Sequence, residues 1–147
     1  MITYSKATFD APTVSQLIEL SKIWVEEDSC FGMVANEESD LQEPCFIAKD
    51  GDRIVGYIFG HYYTKEKKTS NIEVGAACFD VDELYVLPAY RSQGIGRTLF
   101  AMMEEEIQGK VQYLTLVTCT KDYRKALHFY AETQGLTFHD AFLFKKY

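Results

Sequence analysis

The stretch Glu83–Thr98 reads Glu-Leu-Tyr-Val-Leu-Pro-Ala-Tyr-Arg-Ser-Gln-Gly-Ile-Gly-Arg-Thr, and it is the most specific part of the chain. The apolar run up to Leu87 is typical of a strand end. Pro88 cannot donate to a continuing sheet ladder, so the chain must turn there. Gly94 and Gly96 then allow backbone angles closed to other residues and a close approach of a ligand to the main chain. The stretch predicts a strand, a corner and a glycine loop.

A helix follows this loop. Apolar residues recur at helical spacing, at Ile95, Leu99, Met102, Met103 and Ile107. The spacing predicts a helix from about Gly94 to Gln108, with Gly109 as its C-terminal cap. The unpaired N–H groups of the helix start then lie where the glycines are, a geometry that suits a diphosphate.

Two other phosphate-binding loops fit less well. A dinucleotide site needs Gly-x-Gly-x-x-Gly, and the third glycine position here is Leu99. A Walker-type loop ends in Gly-Lys-Ser/Thr, whereas Gly96 is followed by Arg97 and Thr98. A nucleotide-binding domain remains an alternative, and it predicts tighter binding of NAD or ATP than of CoA.

The loop resembles a known family. Residues 91–96 fit the Arg/Gln-x-x-Gly-x-Gly/Ala signature of the GNAT superfamily of acetyl-CoA-dependent N-acetyltransferases, after a similar Leu-x-Val-x-Pro strand end. A second segment resembles the family's Ala-x-x-Phe-Tyr-x-x-x-x-Gly-Phe region, at Ala126, Phe129, Tyr130, Gly135 and Leu136. The two motifs stand in the family's order, which makes the resemblance much stronger than one motif would.

The resemblance implies the fold and the co-substrate. We expect an α/β (α+β) protein with a mixed, mostly antiparallel sheet that is splayed at a bulged strand, with helices on both faces. The resemblance implies acetyl-CoA as co-substrate and no metal. Its diphosphate is expected on the backbone of Ser92, Gln93, Gly94, Ile95, Gly96, Arg97 and Thr98, near the charge of Arg91. Its pantetheine is expected along the main chain of Leu84, Tyr85 and Val86.

The resemblance also suggests catalytic groups. Tyr130 stands where many relatives carry the tyrosine that protonates the departing thiolate, and a phenol stays protonated at neutral pH. Glu83 is the candidate base for the ammonium proton, directly or through water, with Asp82 as its alternative. The Val86 N–H is the candidate to polarise the acetyl carbonyl.

The chain departs from the family pattern at two positions. Tyr123 stands where many relatives have an asparagine that helps to bind the cofactor. Thr118 stands where some relatives that acetylate protein N-termini have a glutamate. The first departure puts one cofactor contact in doubt, and the second makes the protein N-terminus a less attractive acceptor.

Composition limits the class of protein. The 147 residues suit one domain, residues 1–147, and no long apolar stretch indicates a signal peptide or a membrane span, so we expect a cytoplasmic protein. With 22 acidic against 15 basic residues the net charge is −7, which argues against a nucleic-acid ligand and mildly favours a cationic substrate. The four cysteines and three histidines are scattered, so neither a disulfide nor a zinc framework is expected.

The rest of the chain predicts an alternation of strands and helices. Expected strands are Ile2–Ala7, a hairpin of Cys45–Lys49 and Arg53–Tyr63, Phe79–Leu87, Val111–Thr118, and a terminal hairpin of Leu136–Phe138 and Ala141–Lys145. Asp10 and Asp122 are expected to cap helices, and Gly135 to end the last one.

The strand before the glycine loop carries one irregularity. Its apolar residues stand at odd positions up to Val81 and at even positions from Leu84. A bulge near Asp82 or Glu83 would reconcile the two halves. By resemblance, such a bulge opens a slot for pantetheine.

The sequence therefore predicts an N-acetyltransferase that moves an acetyl group directly from acetyl-CoA to a small, cationic primary amine in a ternary complex. A protein lysine or protein N-terminus remains an alternative acceptor, and a non-catalytic acyl-CoA-binding module an alternative function. Similar proteins are commonly homodimers, although no residue here proves one.

Overall fold

The computed structural model describes all 147 residues. Its strands are β1 (Ile2–Lys6), β2 (Cys45–Asp50), β3 (Arg53–Thr64), β4 (Ala77–Val86) and β5 (Tyr113–Thr115). Its α-helices are α1 (Ala11–Glu26), α2 (Ile95–Ile107) and α3 (Tyr123–Leu127). Short 3-10 turns cover Glu38–Asp40 and Pro88–Tyr90, and a π-helical turn covers His128–Thr133.

The five strands form one mixed sheet in the order β1-β2-β3-β4-β5. The first three pairings are antiparallel and the pairing of β4 with β5 is parallel. In β3 every residue from Ile54 to Gly60 is buried. Because successive side chains of a strand point to opposite faces, this burial means that both faces of the sheet are covered. Helices α1 and α2 both contact β3.

The predicted bulge is confirmed. Gly60 pairs with Val81 and Phe59 pairs with Glu83, so Asp82 is left over in β4 without a partner in β3. Gly60 is needed at this point, because a Cβ there would overlap the Asp80 carbonyl oxygen and lie only 2.8 Å from the Phe79 ring. The bulge thus depends on a glycine on the neighbouring strand.

Helix ends also agree with their predictions. The Thr13 N–H donates to Asp10 Oδ1 at 2.9 Å, and the Lys125 N–H donates to Asp122 Oδ1 at 3.2 Å. Gly109 and Gly135, which follow α2 and the π-helical turn, have φ values of 75° and 76°. Only glycine adopts such angles without strain.

The two strands predicted after α2 are corrected. The strand predicted for Val111–Thr118 is reduced to Tyr113–Thr115, which pairs with Cys78–Asp80. The pairing with β4 stops at Asp80, two residues before the bulge at Asp82, so the later residues of that segment have no strand beside them.

The terminal hairpin predicted from Leu136–Phe138 and Ala141–Lys145 is wrong. Every residue from Thr137 to Tyr147 is exposed, and none has a backbone hydrogen bond. The ring of Phe144 instead meets the ring of Phe31 edge to face. An alternating apolar pattern forms a strand only where a sheet edge is available to pair with it, because an isolated hairpin is marginally stable in water.

No helix in the structure is both long and apolar enough to cross a bilayer.

Candidate active site

The start of α2 presents a row of free amide groups. Gly94 occupies the position before the helix with a φ of 82°, and no side chain caps the helix. The six N–H groups from Ser92 to Arg97 have no hydrogen-bond acceptor in the protein. The Thr98 N–H differs, because it donates to the Gly94 carbonyl at 3.0 Å, as does the Thr98 hydroxyl at 3.1 Å. The loop and the helix start therefore form an anion-binding end.

Arg91 is less available than its sequence position suggests. Its guanidinium contacts both carboxylate oxygens of Glu27 at 2.9 Å, and its Nε donates to the Val86 carbonyl at 2.8 Å. The Tyr85 hydroxyl donates to the same Glu27 carboxylate. Arg91 thus joins the end of α1 to the end of β4, and much of its charge is balanced inside the protein.

The second half of β4 has an open edge. β5 pairs only with Cys78–Asp80, so the segment from Glu83 to Val86 has β3 on one side and no strand on the other. The predicted splay is therefore present. The open edge leads from the bulge to the free amide groups of the loop, and an extended ligand could bind there like an added strand.

Glu83 lies half-buried at the bulge end of this edge. Its Oε2 accepts hydrogen bonds from the Tyr57 hydroxyl at 2.6 Å and from Asn36 Nδ2 at 2.9 Å. Burial raises the pKa of the Glu83 carboxyl, the two hydrogen bonds lower it, and the charges of Asp82 and Asp40 raise it. The Glu83 carboxylate is therefore held by two neutral hydrogen-bond donors and by no cation.

A cleft opens at Asp82, the residue before Glu83 in the chain. Its volume is about 530 Å³, and it is lined by Ser39, Asp40, Gln42, His61, Tyr62 and Asp82. Asp82 lies 2.9 Å from Nδ1 of His61. Behind it, Asp80 accepts a 2.6 Å bond from the Thr115 hydroxyl. The lining is polar and includes two carboxylates, Asp40 and Asp82, which suits a cation.

Tyr130 lies in the π-helical turn that follows α3. Its ring packs edge to face on Phe129 and against Phe100, with ring centroids 5.0 Å and 6.1 Å away. Its hydroxyl has no hydrogen-bond partner in the protein. Burial, and then the neighbouring Cys30, raise the pKa of Tyr130 to about 12. The phenol is therefore protonated at neutral pH.

The π-helical turn that carries Phe129 and Tyr130 also lies against the glycine loop. The Phe129 ring is the nearest group to the position that a Cβ of Gly96 would take, at 3.8 Å, and the Val86 side chain is next at 3.9 Å. The two motifs of the sequence are thus in contact in the fold.

The family model described as "Acetyltransferase (GNAT) family" matches residues 11–136. The chain belongs to the GNAT acetyltransferase family. A sequence comparison with curated proteins gives no match.

Solved structures share this GNAT fold. One is a predicted acetyltransferase with acetyl-CoA from Clostridium acetobutylicum, with a TM-score of 0.69, 18% identity and coverage of 99% of this chain and 96% of that chain. An aminoglycoside acetyltransferase from an uncultured soil metagenomic sample, in complex with trehalose, has a TM-score of 0.71, 20% identity and coverage of 99% and 95%. A ribosomal-protein-alanine N-acetyltransferase from Brucella melitensis has a TM-score of 0.67, 12% identity and coverage of 99% of both chains.

Several residues at the site of this GNAT protein were not predicted. Asn36 and Tyr57 reach Glu83 from positions 47 and 26 residues away. Asn36 stands in an irregular loop, and Tyr57 reads as one apolar residue of a buried strand, so neither carries a local signal. His61, isolated in the sequence, pairs with Asp82.

Two cysteines lie in neighbouring parts of the fold. An isolated cysteine is usually a packing residue, but Cys119 is exposed, because the strand predicted up to Thr118 ends at Thr115. Cys30 pairs with Thr120 in an isolated antiparallel bridge, next to Cys119. All four cysteines of the chain are free thiols.

Proposed function

We propose that this protein, as one catalytic domain spanning residues 1–147, transfers an acetyl group from acetyl-CoA to a primary amine of a small, cationic acceptor. Transfer is direct, in a complex that holds both substrates. The observation that carries the proposal is the layout along β4. A half-buried carboxylate, Glu83, stands at one end of an open strand edge, and six free amide groups, Ser92 to Arg97, stand at the other.

The residues present fit acetyl-CoA. The free amide groups and the positive end of the α2 dipole suit its diphosphate. The open edge at Leu84, Tyr85 and Val86 suits its pantetheine, which carries amide groups of its own. The run of free amide groups ends before Thr98, because the Thr98 N–H donates to the Gly94 carbonyl. Acetyl-CoA supplies the thioester that the amine attacks.

Glu83 removes the proton that keeps the acceptor amine unreactive. An ammonium has no lone pair, so the proton must leave before nitrogen can bond to the acetyl carbon. Glu83 Oε1 has no hydrogen-bond partner in the protein and is free to accept that proton, directly or through water. The new C–N bond then replaces the C–S bond, and the electron pair leaves with sulfur as a thiolate.

Tyr130 stabilises the departing thiolate. Its pKa of about 12 lies above the roughly 8.5 of an ordinary thiol, so complete proton transfer from the phenol to the sulfur is uphill. A hydrogen bond from the hydroxyl to the negative sulfur is favourable at any pH where the phenol is protonated. Tyr130 therefore acts chiefly by this bond. The thiolate takes its proton from solvent, and solvent also receives the second proton that the nitrogen releases as the amide forms.

The cleft at Asp82 favours a cationic acceptor. Asp40 and Asp82 line it, and its volume of about 530 Å³ lies within the roughly 300–1,000 Å³ common for small-molecule sites. Two of the solved structures that share the fold are of an aminoglycoside acetyltransferase, one of them in complex with sisomicin. A small polyamine, an aminoglycoside-like compound or an amino-acid derivative fits these features.

One screen tests the proposed function. Release of free thiol from acetyl-CoA is followed against a panel of small amines, lysine-containing peptides and peptides with free N-termini. We expect the highest kcat/KM with small amines that carry a second positive charge. Turnover confined to peptides would favour protein acetylation, and an absence of turnover with retained CoA binding would favour a binding module.

Tyr130→Phe separates catalysis from binding. We expect kcat to fall about a hundredfold, the lower end of what one hydrogen-bond donor to a developing anion contributes. Affinity for CoA, measured by calorimetry, should stay within a few-fold, since the ring and its packing remain. Tyr4→Phe is the matched control, because Tyr4 lies in β1, outside the site. Unchanged kcat in Tyr130→Phe would remove Tyr130 from the mechanism.

A further inference from the structure

Glu83 is held by a chain of hydrogen bonds that begins in α1. Ser21 is fully buried in that helix, and its hydroxyl donates to the Ile18 carbonyl at 2.7 Å. The same hydroxyl accepts the Asn36 main-chain N–H at 2.9 Å. The buried hydroxyl is thus satisfied as donor and as acceptor, and it fixes the main chain of an otherwise irregular loop.

The fixed loop delivers a side chain to the carboxylate. Asn36 Nδ2 donates to Glu83 Oε2 at 2.9 Å, and the hydroxyl of the fully buried Tyr57 donates to the same oxygen at 2.6 Å. The donors come from the loop after α1 and from β3, so they approach one oxygen from two elements. The other oxygen, Oε1, is bonded to nothing in the protein.

The groups around Glu83 make these two donors necessary. Asp82 on the same strand and Asp40 in the 3-10 turn repel a negative carboxylate, and the Cys45 thiol on β2 also faces it. No cation pairs with Glu83. The hydrogen bonds from Tyr57 and Asn36 are the interactions that favour its ionised form, in which a carboxylate can accept a proton.

We propose that Asn36, anchored by Ser21, and Tyr57 are positioning residues that hold Glu83 through Oε2 and leave Oε1 as the atom that accepts the amine proton. This inference rests on the proposed function, because it assigns a division of labour between the two oxygens of the proposed base. Both residues act through Glu83, to which each donates a hydrogen bond.

Loss of either donor should move the ionisation of Glu83 upward. In Asn36→Ala and in Tyr57→Phe, the carboxyl keeps burial and its repelling neighbours but loses one stabilising bond. Its pKa therefore rises, and NMR of the ligand-free protein with carbon-13-labelled glutamate measures the change. On the acidic limb of the pH profile, kcat/KM at fixed pH should fall about tenfold, the effect of one charge-assisted hydrogen bond. Activity should recover at higher pH.

Matched variants keep the test sharp. Asn71→Ala removes an exposed asparagine from a distant loop. Tyr113→Phe removes a tyrosine hydroxyl that donates to another glutamate, Glu73, at 3.0 Å. Neither should move the Glu83 resonance or the acidic limb. Tyr57→Phe preserves the shape of the buried ring, so it remains informative if Asn36→Ala disturbs the loop.

The outcomes separate this inference from the proposed function. An upward shift of both the Glu83 titration and the acidic limb supports the inference. An unmoved Glu83 titration in both variants overturns it. A shifted titration with an unmoved acidic limb overturns the assignment of Oε1 as proton acceptor, because another group is then the base. A shifted titration in a protein that turns over no amine supports the positioning of Glu83 and counts against the proposed function alone.

Discussion

The two long helices of this protein begin in opposite ways. At the start of α1, Asp10 accepts the Thr13 N–H and Pro12 has no N–H to satisfy, so only the Ala11 amide lacks a partner among the first three residues. At the start of α2, Gly94 offers no side chain, and six consecutive amides lack partners. A helix start that its own chain completes is structural, whereas one left incomplete in an exposed loop is suited to a ligand.

Gly94→Asp should reduce acetyl-CoA affinity more than any other substitution at the two helix starts, because it removes the difference between them. The substitution gives α2 the capping residue that α1 has, and aspartate tolerates positive φ better than most residues. Its carboxylate would accept the free amides and repel a diphosphate. We expect acetyl-CoA affinity, measured by calorimetry, to fall about a hundredfold or more.

The control is Gly109→Asp, which places the same residue at a similar φ of 75° beyond the other end of α2. It should cost stability without a comparable loss of affinity. CoA binding by Gly94→Asp within about threefold of wild type would show that the diphosphate does not bind at this loop.

Gly96→Pro should have an intermediate effect. Proline stands at the same second helix position in α1, as Pro12, and tolerates the first turn because its missing N–H has no helical partner there. The substitution removes one of the six free amides and adds a ring, so we expect acetyl-CoA to bind about tenfold more weakly. Gly96→Ala adds bulk but keeps the amide, and it should lose less. Equal losses in the two variants would assign the effect to bulk.

Asp10→Asn should have the smallest effect of these substitutions, and it should change the stability of the fold and not acetyl-CoA affinity. The hydrogen bonds with Thr13 hold the pKa of Asp10 below its usual value. A lowered pKa means that the charge of Asp10 stabilises the fold above the unfolded value, near 3.8, and that this stabilisation is lost as the pH falls through the folded value. Wild type should therefore have a Tm a few degrees above Asp10→Asn at pH 7, and the difference should shrink near pH 3.

Acetyl-CoA affinity should be the same in Asp10→Asn as in wild type. A loss of affinity there would mean that the two helix starts are coupled, and that the contrast between them is not one of separate roles.

Some features of the site were predictable because they are local. The glycine loop, the helix caps and the switch of apolar phase around Asp82 each depend on residues within one short segment, and the confirmed bulge follows from that switch. Other features were not predictable. The terminal hairpin was wrong because an alternating pattern does not reveal whether a sheet edge lies within reach.

The environment of Glu83 could not be predicted from the sequence either. Sequence indicated a carboxylate near the strand end, but its two donors come from a loop and from another strand. Asparagine in a loop is usually a turn residue, and tyrosine in a buried strand is usually a packing residue. The hydrogen bonds that distinguish Asn36 and Tyr57 exist only once α1 and the sheet are in place.

By itself, the sequence determined the family, the order of most of the strands and helices, and the position of the amide-rich loop, because each of these follows from spacing along a few neighbouring residues. Only the tertiary structure decided that Arg91 is balanced by Glu27, that β4 keeps one edge open, and that Glu83 is held through a single oxygen. Those features depend on groups that are far apart in the chain, and their contacts arise only when the sheet and helices pack together.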